Sequence, residues 1–463
     1  MPLMVSISGI RGVIGETLTP EVITSYAAAY VAYCRRRVDG PPTIVVGRDG
    51  RITGKPVMDT LCAALVLAGA GVVNIGICPT PTVQLAVEHE HAQGGIAVTA
   101  SHNPMQWNGL KFMASTGLFL DPAENMEFWE LAREAPRYQP WDAIGKEEVN
   151  TSWLKRHIES VLCLPLLRPD VIRRRRFSIV LDCVNAAGGM IVPDLLRELG
   201  CVVEEMNCEV GGVFQHTPEP LPENLTDLAA RVAASSADLG IAVDPDVDRL
   251  VLINERGEPY GEEYTITTAV DFVLKQRMRL QSPPATPRVV INLSTTRAVE
   301  DIAHRHGADV VRTAVGEINV AAKMRDIGAL IGGEGSGGVI LPAVHLGRDA
   351  IVGIALILQH LAESNGTLSQ LKSSLPQYAI AKGKLELRGV APDDVLATMR
   401  ARHGSKGKMN TDDGIRIDYP EYWVHLRKSN TEPIIRIIAE ASTPDLAQSV
   451  VDAFRREIAG LMG

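Results

Sequence analysis

Gly95-Ile96-Ala97-Val98-Thr99-Ala100-Ser101-His102-Asn103-Pro104 joins an apolar run to a hydroxyl, a ring and an amide in consecutive positions, and a proline closes it. The apolar part reads as a strand and Pro104 stops regular structure. In open α/β sheets, chemistry collects beyond the carboxyl ends of strands, which is where Ser101 falls. A serine there can serve as a nucleophile if a neighbour activates it, and His102 is adjacent; the alternative is a polar turn of Ser, His, Asn and Pro. Just behind lie Asn108-Gly109-Leu110-Lys111.

Upstream, Ser8-Gly9-Ile10-Arg11-Gly12 flanks an arginine with glycines, so backbone and guanidinium can approach a ligand together. Thr19-Pro20-Glu21 opens a helix running to Cys34, with Arg35, Arg36 and Arg37 suited to its C-terminal end. Strands at Thr43 to Val46 and Val72 to Ile77, with a helix from about Pro56, complete an alternating α/β unit. Gly50 to Lys55 resembles a nucleotide phosphate loop, but the spacing is one residue short and Pro56 replaces the magnesium-binding hydroxyl.

A chain of 463 residues exceeds one core and implies three to four domains. With 22% charged and 46% hydrophobic residues the composition is that of a globular protein. The net charge of −9 argues against a general nucleic-acid binder, yet leaves room for a cationic pocket. Seven cysteines without a Cys-x-x-Cys pair read as reduced thiols in a cytoplasmic protein. The N-terminus lacks a signal pattern and the most apolar run, Leu61 to Val73, is too short to span a bilayer, so no membrane partner is expected. Arg173 to Arg176 read as a solvated approach to the strand Phe177 to Leu181.

A strand at Leu239 to Val243 delivers Asp244-Pro245-Asp246-Val247-Asp248-Arg249. In an extended loop, residues i, i+2 and i+4 share one side, so three carboxylates can converge on one hard cation. A calcium EF-hand fails because Arg249 stands where a glycine must turn, and Leu250 to Ile253 reads as a strand. Few protein ligands plus a phosphate oxygen suit Mg²⁺.

Farther on, Gly332-Gly333-Glu334-Gly335-Ser336-Gly337-Gly338 satisfies a dinucleotide fingerprint, but Pro342 follows and no helix is available to hold a pyrophosphate. Glu334 and Ser336 on flexible glycines instead suit hydrogen bonds to sugar hydroxyls. Near the C-terminus, Arg427-Lys428-Ser429-Asn430-Thr431-Glu432-Pro433, with Arg436 beyond, sits between two strands. Hydroxyls, an amide, backbone N–H groups and guanidinium together make a phosphate clamp.

These four motifs, in this order along nearly the whole chain, resemble those of the α-D-phosphohexomutase family. The resemblance implies three consecutive α/β mixed-sheet domains and a smaller C-terminal α+β domain around a central cleft, with boundaries at 1–150, 151–255, 256–370 and 371–463. It makes Ser101 the phosphoserine and a metal ligand with Asp244, Asp246 and Asp248. Arg11, Arg249 and Arg312 become substrate contacts, and Glu334 and Ser336 fall in the sugar-specificity loop. Arg427, Ser429, Asn430, Thr431 and Arg436 form the phosphate-binding loop. Lys111 holds the family's general acid/base position, and Arg11 and Arg249 are expected to depress its pKa. His102 joins Ser101, Lys111 and Arg11 as catalytic. One departure is clear: many members end the sugar loop in histidine where Gly338 stands; His345 is the candidate substitute, with a purely structural histidine as the alternative.

The implied reaction moves phosphate between the 1 and 6 positions of a hexose through a hexose 1,6-bisphosphate, in a monomer or homodimer that takes a small phosphosugar. The glycine-rich loop with Arg348-Asp349 resembles archaeal-like phosphoglucosamine mutases, whereas Ser429-Asn430-Thr431 is a spelling of phosphomannomutase/phosphoglucomutase members. A phosphatase and a silent binding protein are the readings from other classes.

Overall fold

The computed structural model describes residues 3–280, 286–387, 389–428 and 434–461. The first unit holds β1 (Met4–Ser6), β2 (Gly9–Val13), β3 (Thr43–Arg48), β4 (Gly71–Ile77), β5 (Gly94–Val98), β6 (Trp107–Ala114) and β7 (Glu147–Val149). Their order in the sheet is β1-β2-β6-β5-β3-β4-β7. β3 pairs parallel with β4 and β5, while β5–β6 and β6–β2 are antiparallel, so the sheet is mixed. Every residue of β5 and β6 is buried, which explains why β5 reads as an apolar run without alternation. The helix Pro20–Arg35 starts and ends, and the helix Gly54–Leu67 starts, within two residues of the sequence expectation.

The next two units share one plan. β8 (Ser178–Asp182), β9 (Val202–Met206), β10 (Leu239–Val243) and β11 (Leu250–Asn254) run in the order β11-β10-β8-β9, with only β11 antiparallel. β12 (Arg288–Asn292), β13 (Asp309–Thr313), β14 (Ile331–Glu334) and β15 (Gly338–Ile340) repeat this as β13-β12-β14-β15, with β15 antiparallel. Arg173, Arg174 and Arg175 form the last turn of the helix Pro169–Arg175 rather than a bare approach to a strand, and their cations suit that helix end. The fourth unit is a five-stranded antiparallel sheet of β16 (Ala379–Glu386), β17 (Lys408–Asn410), β18 (Ile415–Asp418), β19 (Tyr422–Lys428) and β20 (Ile434–Ala441), in the order β16-β20-β19-β18-β17.

The cores show how the units are joined. One apolar cluster runs continuously through units two and three, and another joins Val45, Ile75 and Val83 of unit one to Val290, Val320 and Met324 of unit three. The fourth unit has a core of its own, from Leu387 to Ile458. It meets unit three through polar contacts: Ser294 Oγ to His425 Nδ1 (2.9 Å), the Arg297 N–H to Glu440 (3.0 Å), Tyr378 to Asp301 (2.8 Å), and Arg416 to the Leu293 carbonyl. All seven cysteines are unpaired, and among the described residues no helix is long and apolar enough to cross a membrane.

Candidate active site

Ser101 lies three residues beyond the end of β5, buried, with φ 50°, a left-handed conformation that non-glycine residues seldom adopt. Its Oγ is 3.4 Å from both Asp244 Oδ2 and His102 Nδ1. The loop is held from inside by Arg51, which is fully buried. The Arg51 guanidinium donates to the carbonyls of Ser101, Asn103 (2.7 Å), Pro104 (2.9 Å) and Trp107 (3.2 Å). Its Nε pairs with Asp49 at 3.0 Å, and Asp49 also accepts from Thr99 Oγ1 at 2.7 Å. Carbonyls turned inward need donors, and one planar fork supplies them. Sequence reasoning missed Arg51; the available signal was Asp49-Gly50-Arg51 directly after a parallel strand, the segment weighed only as a nucleotide loop.

The acidic loop leaves β10 with Val247 at φ 60°, strained for a β-branched residue. That turn lets Asp244 Oδ1 accept the N–H groups of Asp248 (3.1 Å) and Arg249 (3.2 Å). Asp246 Oδ2 accepts from Lys111 Nζ (2.6 Å) and Thr80 Oγ1 (2.8 Å), and Asp248 Oδ2 pairs with Arg348 (2.6 Å). Asp246 Oδ1 and Asp248 Oδ1 are buried without a hydrogen-bond partner, and one oxygen from each of the three carboxylates lies within 4.8 Å of the others. Oxygen donors so placed, two of the three carboxylates with an uncommitted atom, fit a hard divalent cation. Burial, with Asp248 and Asp246 alongside, pushes the Asp244 carboxyl well above its usual range. Burial pushes Asp246 the same way, but Lys111 outweighs it and holds that carboxyl low.

Lys111 departs from expectation. Burial alone would lower its pKa, but Asp246 and Asp248 outweigh both burial and Arg11, so the ammonium is held above its ordinary value. Two carboxylates at 2.6 and 3.6 Å are closer than the cations the sequence suggested would dominate. His102 moves the other way: burial, then Arg249 and Arg11, lowers it to about 3, so it is neutral at pH 7. Arg11 reaches Asn103 Oδ1 at 3.1 Å from β2.

The sugar loop begins as β14 ends. Glu334 accepts from Asn292 (2.7 Å), the Gly316 N–H (2.9 Å) and Arg348 (2.8 Å), while Ser336 faces the cleft. A Cβ on Gly338 would lie 2.3 Å from Arg348 Cδ, so the glycine admits the arginine that links Asp248, Glu334 and Glu317. Arg348 therefore stands over the position where the resemblance expects histidine. His345 does not replace it. His345 is buried, with Nδ1 accepting from the Gly347 N–H (3.0 Å) and Nε2 on Asp349 (3.1 Å), away from the cleft. With His157 it closes a group around Asp349 whose ring nitrogens all have partners.

Arg312 is also corrected. Its fork is occupied by Glu300 (2.9 Å) and by the carbonyls of Asn292 and Thr295 (2.8 Å each), so it supports the turn after β12 and does not line the cleft. Arg427 and Arg436 are cross-strand partners on β19 and β20, and both face the cleft. Ser429, Asn430 and Thr431 lie outside the described residues. Lys384, opposite Arg436 on β16, and Arg455 join this cationic end; as isolated cations in ordinary sequence they gave no signal.

Arg11, Ser101 and Lys111 of unit one, Arg249 of unit two, Glu334 and Ser336 of unit three, and Arg427 and Arg436 of unit four line a cleft of about 1020 Å³. The chain matches four family models: phosphoglucomutase/phosphomannomutase alpha/beta/alpha domains I (residues 4–138), II (155–257) and III (262–378), and the C-terminal domain (384–457). The chain belongs to the phosphoglucomutase/phosphomannomutase family. It is thus a phosphohexomutase, an isomerase. A relative from Thermococcus kodakarensis named "Phosphoglucomutase/phosphomannomutase" is 36% identical, with 96% of each chain covered. One from Methanopyrus kandleri named "Probable phosphoglucosamine mutase" is 33% identical, again over 96% of each. Among solved structures, a phosphoglucomutase/phosphomannomutase family protein from Burkholderia thailandensis superposes with a TM-score of 0.83 at 27% identity, covering 98% of this chain and 97% of that one.

Proposed function

We propose that this phosphohexomutase converts glucosamine 6-phosphate to glucosamine 1-phosphate through phospho-Ser101 and a hexose 1,6-bisphosphate. The observation that carries the reading is Ser101 Oγ held 3.4 Å from Asp244 on the wall of a cleft that also presents Arg427 and Arg436. Those arginines hold the substrate's own phosphate, as guanidinium matches phosphate oxygens. The sugar's free hydroxyl then attacks the phosphorus on Ser101: the sugar O–P bond forms, the Ser101 Oγ–P bond breaks, and Asp244 stands beside the released Oγ. The bisphosphate reorients and the opposite transfer restores phospho-Ser101. Asp244, Asp246 and Asp248 would hold Mg²⁺, which when bound would supply charge neutralisation to the transferring phosphoryl group.

The attacking hydroxyl's proton passes to the departing Ser101 Oγ and returns to the sugar oxygen in the opposite transfer, while Lys111, held as the ammonium, donates a hydrogen bond to the sugar oxygen in both halves and keeps its own proton. Arg11, Arg249 and neutral His102 crowd the phosphoryl position with donors, and Ser336 meets a sugar hydroxyl. We place the domain boundaries near 150, 255 and 370, and the reaction in the cytoplasm, as seven unpaired cysteines suit.

The glucosamine assignment is supported by the loop Gly332 to Gly338 together with Arg348-Asp349. The runner-up is phosphomannomutase/phosphoglucomutase activity, favoured by the name of the 36% identical relative. Comparing kcat/KM for glucosamine, mannose and glucose phosphates, with Mg²⁺ and a catalytic amount of each bisphosphate, decides between them. A preference for glucosamine phosphate is expected, and equal or better use of mannose or glucose phosphate makes the runner-up correct. Ser101→Ala is expected to abolish turnover; release of free phosphate in place of isomer would make the protein a phosphatase.

A further inference from the structure

Three glutamates line the cleft: Glu263, Glu317 and Glu334. Glu317 and Glu334 are both held by Arg348. Glu263 differs. It is the second residue of the helix Glu262–Gln276, its Oε2 accepts the Thr296 N–H at 2.9 Å, and among the described residues it has no ion-pair partner. The nearby Lys382 is paired instead with Glu262, at 2.6 Å.

Its location is specific. A Cβ built on Gly335 would lie 2.0 Å from Glu263 Oε2 and 2.2 Å from Oε1. The carboxylate thus occupies the space that a side chain at 335 would take, inside the sugar loop between Glu334 and Ser336. Arg11, Lys111, Arg249, Arg427 and Arg436, which also line the cleft, suit phosphate; an uncommitted carboxylate among them suits the opposite charge.

We infer that Glu263 is the specificity-determining contact for the ammonium group of an aminohexose phosphate, an inference that rests on the glucosamine reading above. Burial, with Glu262 beside it, pushes the Glu263 carboxyl well above the usual range. A half-buried carboxyl without a cation is costly to ionise, and an ammonium ligand provides the missing charge. Glucose and mannose phosphates place only hydroxyls there, so the ion pair separates amino from neutral sugars.

The test uses the full-length enzyme, with kcat/KM measured for glucosamine 6-phosphate and glucose 6-phosphate in wild type, Glu263→Gln and Gly335→Ala. Glutamine keeps the shape and the acceptor for Thr296 but not the charge, and the Gly335→Ala methyl would displace the carboxylate while leaving Glu263 in the chain. Both variants are expected to lower the amino-sugar to glucose ratio by roughly 10- to 100-fold, as for a hydrogen bond to a charged group, chiefly through KM for the amino sugar. Wild-type preference for the amino sugar with an unchanged ratio in Glu263→Gln overturns this inference alone. Failure of wild type to turn over glucosamine 6-phosphate overturns both it and the substrate reading.

Discussion

Arg51 illustrates how much of the reactive loop depends on a residue that never faces substrate. The guanidinium collects the carbonyls around Ser101 and neutralises Asp49, which is buried and has Thr99 as its other side-chain partner. Arg51→Met removes those donors and leaves a charge without its counterion. It is expected to destabilise the protein by about 3–5 kcal/mol, read from denaturant unfolding, and to lower kcat as Ser101 loses its left-handed backbone. An unchanged unfolding midpoint would show that the pair contributes nothing. Arg348 acts similarly among Asp248, Glu334 and Glu317, tying the metal loop to the sugar loop through one side chain.

At the scale of elements, the loop after β10 gathers three carboxylates whose mutual repulsion Lys111 and Arg348 offset at Asp246 and Asp248 but not at Asp244. Mg²⁺ is therefore expected to raise the unfolding temperature, with about 2.7 kcal/mol of stabilisation at a concentration 100 times Kd, and Asp244→Asn is expected to remove most of that increment. Without Mg²⁺ the two ends of the loop behave differently. Asp244→Asn relieves repulsion and leaves stability unchanged or higher, whereas Asp246→Asn breaks the pair with Lys111 and lowers it.

Strand β19 carries a second electrostatic device at the junction of units three and four. His425 lies against Ser294 and the Asp413 carbonyl, and burial, with Arg427 and Arg416 nearby, lowers it to about 4 despite that carbonyl. Its folded pKa is below the unfolded value, so both states are neutral at pH 7 and the unfolded state alone gains a proton as pH falls. Stability is thus full above about pH 6.5 and falls toward pH 4, by on the order of 3 kcal/mol. His425→Gln is expected to flatten that part of the stability profile; an unchanged profile would mean that His425 titrates normally.

Across the whole molecule, units two and three share a core, unit one joins them through a second, and unit four stands on its own apolar cluster with polar contacts to its neighbour. An interface of that kind permits rigid-body motion. We expect the fourth unit to close about the segment near Pro376 when both phosphates are bound, excluding water from phospho-Ser101. Small-angle scattering should show a lower radius of gyration on adding a hexose 1,6-bisphosphate, and an unchanged radius would mean a rigid cleft.

Local sequence determined the elements and the chemistry-bearing loops, because strand runs, caps and the Ser101 and Asp244–Asp248 motifs are written over a few adjacent residues. It also made the four-part order visible. Only the tertiary structure decided which cations are available: Arg312 and Lys111 look equally free in sequence, yet one is locked under a turn and the other is held charged by two aspartates from a different unit. The same holds for Arg51, Arg348 and Glu263, whose partners lie from a few residues to a hundred away. Charge state and reach depend on distance and burial, which are properties of the packed chain and leave no trace in residue type or spacing.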